Sequence, residues 1–227
     1  MSSRAETGEA ASRPSPRAEA KESTSSVGAR LRERREQLGL SLRELARRLE
    51  VSPSLVSQIE TGKIQPSVRT LYAIVSELGL SLDEVFVRGD SAPSTAPSTP
   101  ERAPRAGAPV QRAAERQAIE LESGVRWERL TAWNDEDIEF MEAIYEVGGA
   151  SSPDGKLVRH SGREFGLVLS GTLNVTVGFE EHVLETGDSI SFESTIPHRL
   201  HNEGDEVVRA IWVTLGRYES DQAFSKS

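Results

Sequence analysis

The sequence contains no cysteine, which excludes a disulfide framework and a thiolate metal site. It also has no apolar run near the ~18 residues that a helix needs to span a bilayer. The first 26 residues lack the apolar core of a signal peptide and instead mix Ser, Ala, Arg and Glu, a composition typical of a disordered tail. We therefore expect a soluble, cytoplasmic protein with no membrane partner.

The length and composition of the chain predict two domains, because 227 residues exceed one small folding unit. Ala, Pro, Ser and Thr dominate residues 91–107 without apolar periodicity, which predicts a semi-extended spacer. We expect a disordered tail (1–26), a helical domain (27–87), an Ala/Pro/Ser-rich linker (88–118), a β domain (119–218) and a C-terminal tail (219–227). The predicted fold class is therefore multidomain, α plus β.

Residues 41–63, SLRELARRLEVSPSLVSQIETGK, predict two short amphipathic helices joined by a tight turn. Ser41, followed three residues later by Glu44, has the pattern of a capping box that starts the first helix. Ser52 is a second N-cap, and Pro53 suits the first helical position because its missing N–H would be unpaired there anyway. Apolar residues recur at helical spacing on one face of each helix and leave the other face polar.

The polar face of the second helix carries hydroxyl groups and an amide. Such groups can hydrogen-bond to base edges in the major groove, since Gln pairs bidentately with adenine. Basic residues outnumber acidic ones by nine to five over residues 27–70, although the whole chain has a net charge of −9. A helical hairpin inside a bundle is the structural alternative. The predicted DNA-binding residues are Arg43, Ser52, Pro53, Ser54, Ser57, Gln58 and Lys63.

These residues resemble the helix-turn-helix regulators of the phage-repressor or Cro type, the xenobiotic-response-element family. The resemblance covers almost all of the predicted helical domain and runs through REQLGLSLRELA and the ETGK end. It implies a five-helix fold, with Arg43 and Lys63 near phosphates and a structural Arg35–Glu60 pair between the first and third helices. Glu50 stands in the turn where the family often has Gly. If this turn needs positive φ, Glu50 costs on the order of 1 kcal/mol.

From residue 122 onward the sequence is rich in β-branched and aromatic residues, in short segments separated by Gly, Asp and Asn turns. Many short strands at this spacing predict an antiparallel β-barrel or jelly roll. This half carries nine basic and twenty acidic residues. It should therefore repel DNA and leave DNA binding to the helical domain.

His160, Glu164 and His198 form a candidate metal site in the β domain. Two imidazoles and one carboxylate that converge inside a barrel suit a divalent metal such as Zn²⁺, Fe²⁺, Ni²⁺ or Mn²⁺. Spacing alone is a weak signal, because His160 lies in a polar run and His198 follows a proline. Each histidine can equally be an ordinary loop residue.

Residues 157–213 resemble a cupin, with HSGREFGLVLSG similar to the first cupin motif and GDSISFESTIPHRLHN similar to the second. The resemblance places His160, Glu164 and His198 at ligand positions of the family. Val158 stands where the first motif usually has a histidine, so the remaining three ligands imply either a metal with extra water or substrate ligands, or a pocket for an organic effector.

Three further residues are candidates for an effector pocket. They are Arg163, Tyr145 and Phe192. Arginines clustered near the mouth of the barrel can select an anionic ligand, with a solvated strand face as the alternative for Arg163. The alternative for the two aromatic residues is ordinary core packing, because each lies within an apolar strand.

Together the two halves predict a transcriptional regulator that is not an enzyme, in which the helical domain reads an operator and the cupin senses a small molecule or metal. One monomer offers too few base contacts to select a site, so we expect a homodimer on an inverted-repeat operator. In the family the cupin supplies the dimer interface. The alternatives are a mononuclear non-haem iron oxygenase or epoxidase with a structural helix-turn-helix domain, and a DNA-binding protein whose barrel only dimerises it.

Overall fold

The computed structural model describes residues 16–86, 109–133, 135 and 137–216. Five helices form the N-terminal part: α1 (Pro16–Gln37), α2 (Leu42–Arg48), α3 (Pro53–Glu60), α4 (Val68–Leu78) and α5 (Leu82–Phe86). Within the described part of the chain, no helix combines the length and the apolar character needed to cross a membrane.

Helix α1 begins well before the predicted start of the helical domain. Residues 16–26 are helical, so the prediction of a disordered tail is corrected for this stretch. The residues that follow Pro16 are mainly Ala, Arg, Glu and Lys, which are strong helix formers, and Pro suits the start of a helix. The rest of that predicted tail, residues 88–108 of the predicted linker and the predicted C-terminal tail lie outside the described residues.

The two predicted serine caps start helices α2 and α3. Ser41 Oγ accepts a hydrogen bond from Glu44 N at 3.1 Å, and Ser52 Oγ accepts one from Leu55 N at 3.1 Å. Each bond satisfies a backbone N–H that has no partner inside its helix. The second half of the predicted capping box is not formed, because the Glu44 carboxylate instead accepts hydrogen bonds from two arginines at the end of α2.

A buried ion pair joins α1 to α3. Arg35 Nε and Nη2 donate to the two carboxylate oxygens of Glu60 at 2.6 and 2.9 Å, and both side chains are buried. Arg35 Nη1 also donates to the Leu40 carbonyl at 2.8 Å. The structural role expected for Arg35 is therefore confirmed. Because loss of either partner would leave an uncompensated buried charge, the pair fixes the position of α3 on α1.

The turn between α2 and α3 holds Glu50 in the left-handed region, with φ of 56°. The turn therefore does need a positive φ at this position, where the resembling family often has Gly. A side chain in this conformation costs about 1 kcal/mol, because Cβ approaches the following carbonyl oxygen. The domain therefore carries a small local strain next to α3.

Nine strands follow: β1 (Ala118–Leu121), β2 (Val125–Arg129), β3 (Ile138–Tyr145), β4 (Arg163–Ser170), β5 (Leu173–Val177), β6 (Glu180–Leu184), β7 (Ser189–Glu193), β8 (His198–His201) and β9 (Val208–Leu215). They form an antiparallel six-stranded sheet in the order β1-β2-β3-β9-β4-β7 and an antiparallel three-stranded sheet in the order β6-β5-β8. These sheets agree with the predicted antiparallel β domain. The strand pairing described here does not join the two sheets into one closed barrel.

Alternation along the strands separates an inner face from an outer face. On β4, Glu164 and Val168 are buried, whereas Arg163, Phe165 and Leu167 are exposed. Successive side chains of a strand point to opposite faces, so this pattern follows from the strand geometry alone. It places a carboxylate on the apolar inner face, where it needs polar partners.

The helical domain packs directly on the β domain. Glu122 N donates to the Pro66 carbonyl at 2.9 Å, and Arg69 N donates to the Ser151 carbonyl at 3.3 Å. Buried apolar side chains of α4 and α5 belong to the same core cluster as those of the sheets. The Asp83 carboxylate on α5 adds a polar contact, because it accepts a hydrogen bond from a backbone N–H of the β domain at 2.6 Å. The two domains are therefore one packed unit.

Candidate functional site

The predicted base-reading residues lie along an accessible ridge on α3, which we call the reading ridge. Ser52, Pro53 and Ser54 are exposed, and Ser57 and Gln58 are half-buried. Gln58 Nε2 donates to Ser54 Oγ at 2.9 Å. These two side chains therefore lie on the same face of the helix, one turn apart. The ridge is therefore accessible to solvent.

Two of the predicted DNA-binding residues, Arg43 and Lys63, are exposed basic side chains. Arg43 on α2 and Lys63 after α3 form no ion pair with any residue in the described part of the chain. Arg47 and Arg48 differ, because both pair with Glu44. Arg43 and Lys63 can therefore contact phosphates without first giving up an internal partner.

The structure brings His160, Glu164 and His198 together inside the β domain. Glu164 Oε1 lies 3.0 Å from His160 Nε2 and 3.2 Å from His198 Nε2. The three candidate ligand atoms all lie within 4.8 Å of one another. Glu164 comes from β4 and His198 from β8, while His160 lies just before β4.

A backbone carbonyl orients each of the two imidazoles. His160 Nδ1 lies 2.9 Å from the Ser161 carbonyl oxygen, and His198 Nδ1 lies 2.9 Å from the Ile196 carbonyl oxygen. Since a carbonyl oxygen only accepts, Nδ1 carries a proton in both rings, and Nε2 of each ring faces Glu164. Metal-binding histidines are commonly held in this way, with the second ring nitrogen donating to a carbonyl.

The Glu164 carboxylate is oriented by Trp212, whose Nε1–H donates to Oε2 at 2.6 Å. Gly166 makes room for the indole ring, since a Cβ at that position would lie 2.1 Å from it. His160 Nε2 and Glu164 Oε1 are buried, and neither has a hydrogen-bond partner of suitable geometry among the described residues. A cation between these atoms would satisfy both of them. The residues present therefore fit a divalent metal.

The charges in the site reinforce this arrangement. Burial alone would raise the pKa of the Glu164 carboxyl group, but the two imidazoles hold this pKa well below its ordinary value. Burial alone would lower the pKa of His198, but the Glu164 carboxylate raises it. Glu164 is therefore held in the ionised form, which is the form that binds a cation.

Glu164 and His198 line a cavity at the junction of the two domains. Its volume is about 20 Å³, roughly the room needed by a single water molecule. Other lining residues are the aromatic side chains Tyr72, Trp127 and Trp212. In this arrangement of the domains, the cavity admits an ion more readily than a large organic molecule.

Of the three residues predicted for the effector pocket, two lie in or next to this cavity and one lies outside it. Tyr145 lines the cavity, and Phe192 packs against His198 with the ring centroids 5.0 Å apart. The prediction for Arg163 is wrong, because alternation along β4 places its side chain on the outer face, where Nε donates to Glu193 at 2.8 Å.

Sequence reasoning did not find the contribution of α4 to this site. Val68 and Tyr72 line the cavity, and the Tyr72 and His160 ring centroids are 4.5 Å apart. Apolar periodicity marks both residues as buried but does not distinguish packing inside one domain from packing on another. The role of Trp212 was not predicted either, although alternation along β9 is consistent with its place on the inner face.

Each of the two domains matches one known protein family. Residues 31–85 match the Helix-turn-helix family, and residues 141–214 match the Cupin domain family. The HTH-type transcriptional regulator PuuR of Escherichia coli (strain K12) is 29% identical over 185 residues, which cover 81% of this chain and 91% of PuuR.

Solved structures show a similar fold. The HTH_3 family transcriptional regulator from Vibrio cholerae has a TM-score of 0.60 and 21% sequence identity, over 87% of this chain and 98% of its own. Hydroxypropylphosphonic acid epoxidase from S. wedmorenis has a TM-score of 0.40 and 22% identity, over 86% of this chain and 100% of its own. The second likeness is too weak to carry a functional argument.

The fold and the two family matches define a protein that joins a helix-turn-helix domain to a cupin domain. The chain is a helix-turn-helix transcriptional regulator with a cupin domain, similar to PuuR.

Proposed function

We propose that this regulator acts in the cytoplasm, binds an inverted-repeat operator as a homodimer, and senses a divalent metal or a small molecule through His160, Glu164 and His198. One observation carries the proposal. The exposed reading ridge and the buried triad lie in one packed unit, so a signal at the triad has a physical route to DNA binding.

The chemistry of the reading ridge supports base recognition. Gln58 presents an amide and Ser54 a hydroxyl on the same face of α3, and the exposed Arg43 and Lys63 are available for phosphates. A good base contact discriminates by ~1–3 kcal/mol, which is too little for one small ridge to select a site among many competing sequences. Two ridges about one DNA turn apart, ~34 Å, would double the contacts on an inverted repeat.

An apolar outer patch on the six-stranded sheet supports homodimerisation. It is formed by exposed side chains of β3 and β4, namely Ile138, Phe140, Phe165, Leu167 and Leu169. β9 lies between these two strands, so the residues share one continuous face. Contiguous apolar surface of this kind marks interaction sites. A second copy of the chain fits it, because a two-fold axis pairs such a patch with itself.

The triad supports metal binding, and two imidazoles with one carboxylate suit Zn²⁺, Fe²⁺, Ni²⁺ or Mn²⁺. When bound, the metal would supply positive charge that compensates the buried Glu164 carboxylate. It would also bond to His160 Nε2 and Glu164 Oε1, neither of which has a hydrogen-bond partner of suitable geometry among the described residues. The small cavity favours an ion over a bulky organic effector.

A mononuclear iron oxygenase is the second candidate, because two histidines and one carboxylate also form the ligand set of many non-haem iron enzymes. Such an enzyme needs space for substrate and oxygen next to the ligands, and a cavity of about 20 Å³ is too small for both. An exposed reading ridge would also have no role in it. The regulator is therefore the function that these features support best.

Replacement of Gln58 by Ala should weaken binding to an operator fragment by about tenfold or more relative to unrelated DNA. The reason is that an amide contact to a base edge contributes ~1–3 kcal/mol of discrimination in each subunit. The measurement is fluorescence anisotropy at one fixed salt concentration, with a fragment obtained by genomic selection with the wild-type protein.

Gln37→Ala is the matched control, because Gln37 is an exposed glutamine of α1 outside the reading ridge. It should leave both affinities unchanged. Equal losses on operator and unrelated DNA for Gln58→Ala would mean that the reading ridge does not read bases.

Replacement of Leu167 by Glu should dissociate the homodimer, raising its dissociation constant by about 100-fold or more. Each interface would then bury two unpaired charges in an apolar contact, which costs several kcal/mol. Sedimentation equilibrium measures the dissociation constant. Val183→Glu, at an exposed apolar position on the other sheet, should leave the dimer intact. A monomeric wild-type protein would contradict the proposal.

Zn²⁺ should bind the full-length protein with one ion per chain, and His198→Ala should weaken binding by about 100-fold or more. Loss of a partner that only orients a ligand already costs 10–100-fold in affinity, so loss of a ligand should cost at least as much. Isothermal titration calorimetry near pH 7 gives both values. His182→Ala removes a half-buried histidine of β6, outside the triad, and should bind Zn²⁺ as the wild type does. Equal affinity of His198→Ala and the wild type would exclude this site.

A further inference from the structure

Helix α4 of the DNA-binding domain forms part of the wall of the metal site. Of the residues lining the cavity, Val68 and Tyr72 come from α4 and the others from the β domain. The Tyr72 and His160 rings have centroids 4.5 Å apart and planes inclined by 32°. A side chain of one domain therefore packs against a candidate metal ligand of the other.

Two further contacts with the β domain hold Tyr72 in place. Its hydroxyl group donates to Glu139 Oε2 on β3 at 3.4 Å, and Glu139 is buried. Its ring also packs on Trp127, with centroids 5.4 Å apart. Aromatic packing and a hydroxyl contact together favour one defined position for the Tyr72 side chain.

Helix α4 is also linked to the rest of the DNA-binding domain. Arg48 of α2 forms an ion pair with Glu77 of α4 at 2.7 Å, and Arg34 Nε of α1 donates to the Leu78 carbonyl at 3.1 Å. The Arg35–Glu60 pair in turn joins α1 to α3. A displacement of α4 on the β domain therefore carries the reading ridge with it.

We propose that Tyr72 is a positioning residue for the metal site and that it couples occupancy of this site to the placement of the reading ridge. The inference rests on the proposed metal sensing. A cation bound at His160 Nε2 would restrict the imidazole ring to one orientation, and this ring is the surface on which Tyr72 packs. Because coupling between two binding sites is reciprocal, operator binding must change Zn²⁺ affinity by the same factor by which Zn²⁺ changes operator affinity.

The experiment measures the operator dissociation constant of the full-length protein with and without saturating Zn²⁺. For the wild type we expect the two constants to differ by about fivefold or more, the lower end of typical couplings between sites. Tyr72→Leu should bring their ratio close to one, because the aromatic contact with His160 is lost while an apolar side chain remains. Tyr72→Phe keeps the ring and should restore most of the ratio.

Tyr145→Phe is the matched control, because Tyr145 lines the same cavity from β3 within the β domain. It should keep the wild-type ratio even if Zn²⁺ affinity changes. A loss of Zn²⁺ affinity without a loss of coupling in Tyr72→Leu would mean that Tyr72 only shapes the cavity. That result would overturn the inference.

The outcomes separate this inference from the proposed function. Two outcomes concern the wild type: it binds no Zn²⁺, or bound Zn²⁺ leaves its operator affinity unchanged. Either result would contradict both the sensing role and this inference. A wild-type ratio preserved in Tyr72→Leu would overturn the inference alone. If Tyr72→Leu does not fold, hydrogen exchange of the wild type decides: residues 68–78 should exchange more slowly with Zn²⁺, and unchanged exchange would contradict the coupling.

Discussion

The packing of α4 on the β domain is the constraint on which the rest of the structure depends. A Pro-rich tether by itself transmits orientation poorly, since its many conformations leave the two domains free to turn. Here Val68 and Tyr72 are buried against the β domain, and backbone hydrogen bonds to the Pro66 and Ser151 carbonyls fix the same junction. A change in the cavity can therefore reach the reading ridge through packed side chains, which a flexible connection would not allow.

The triad illustrates how the fold manages a buried charge. An ionised carboxylate on an apolar face is costly unless it is paired and hydrogen-bonded. Trp212 satisfies one oxygen of Glu164, and the second oxygen faces the Nε2 atoms of His160 and His198. Carbonyl groups hold the opposite ring nitrogens, so the three ligand atoms are arranged before any ligand arrives. Such preorganisation favours a small cation and lowers the cost of ordering the site upon binding.

Local features of the fold and site were predictable from the sequence, because they depend on neighbouring residues. Ser52 caps α3 as its position before Pro53 predicts, and cupin-like spacing led to the triad. Features that depend on contacts between segments far apart in the sequence were not predictable. Tyr72 has the pattern of any buried helical residue, and only the packing of α4 on the β domain reveals its contact with His160. Strand alternation, which was available, would have separated Arg163 from the inward-facing Glu164.

The central claim is that the two domains form one body in solution, and a distance measurement between them tests it most directly. Because the chain has no cysteine, spin labels can be attached at Ala73→Cys on α4 and Glu181→Cys on β6 without background labelling. Double electron–electron resonance, with excess unlabelled chain to suppress distances between subunits, should give one narrow distance distribution. A broad distribution, as expected for domains joined only by a flexible tether, would contradict the account.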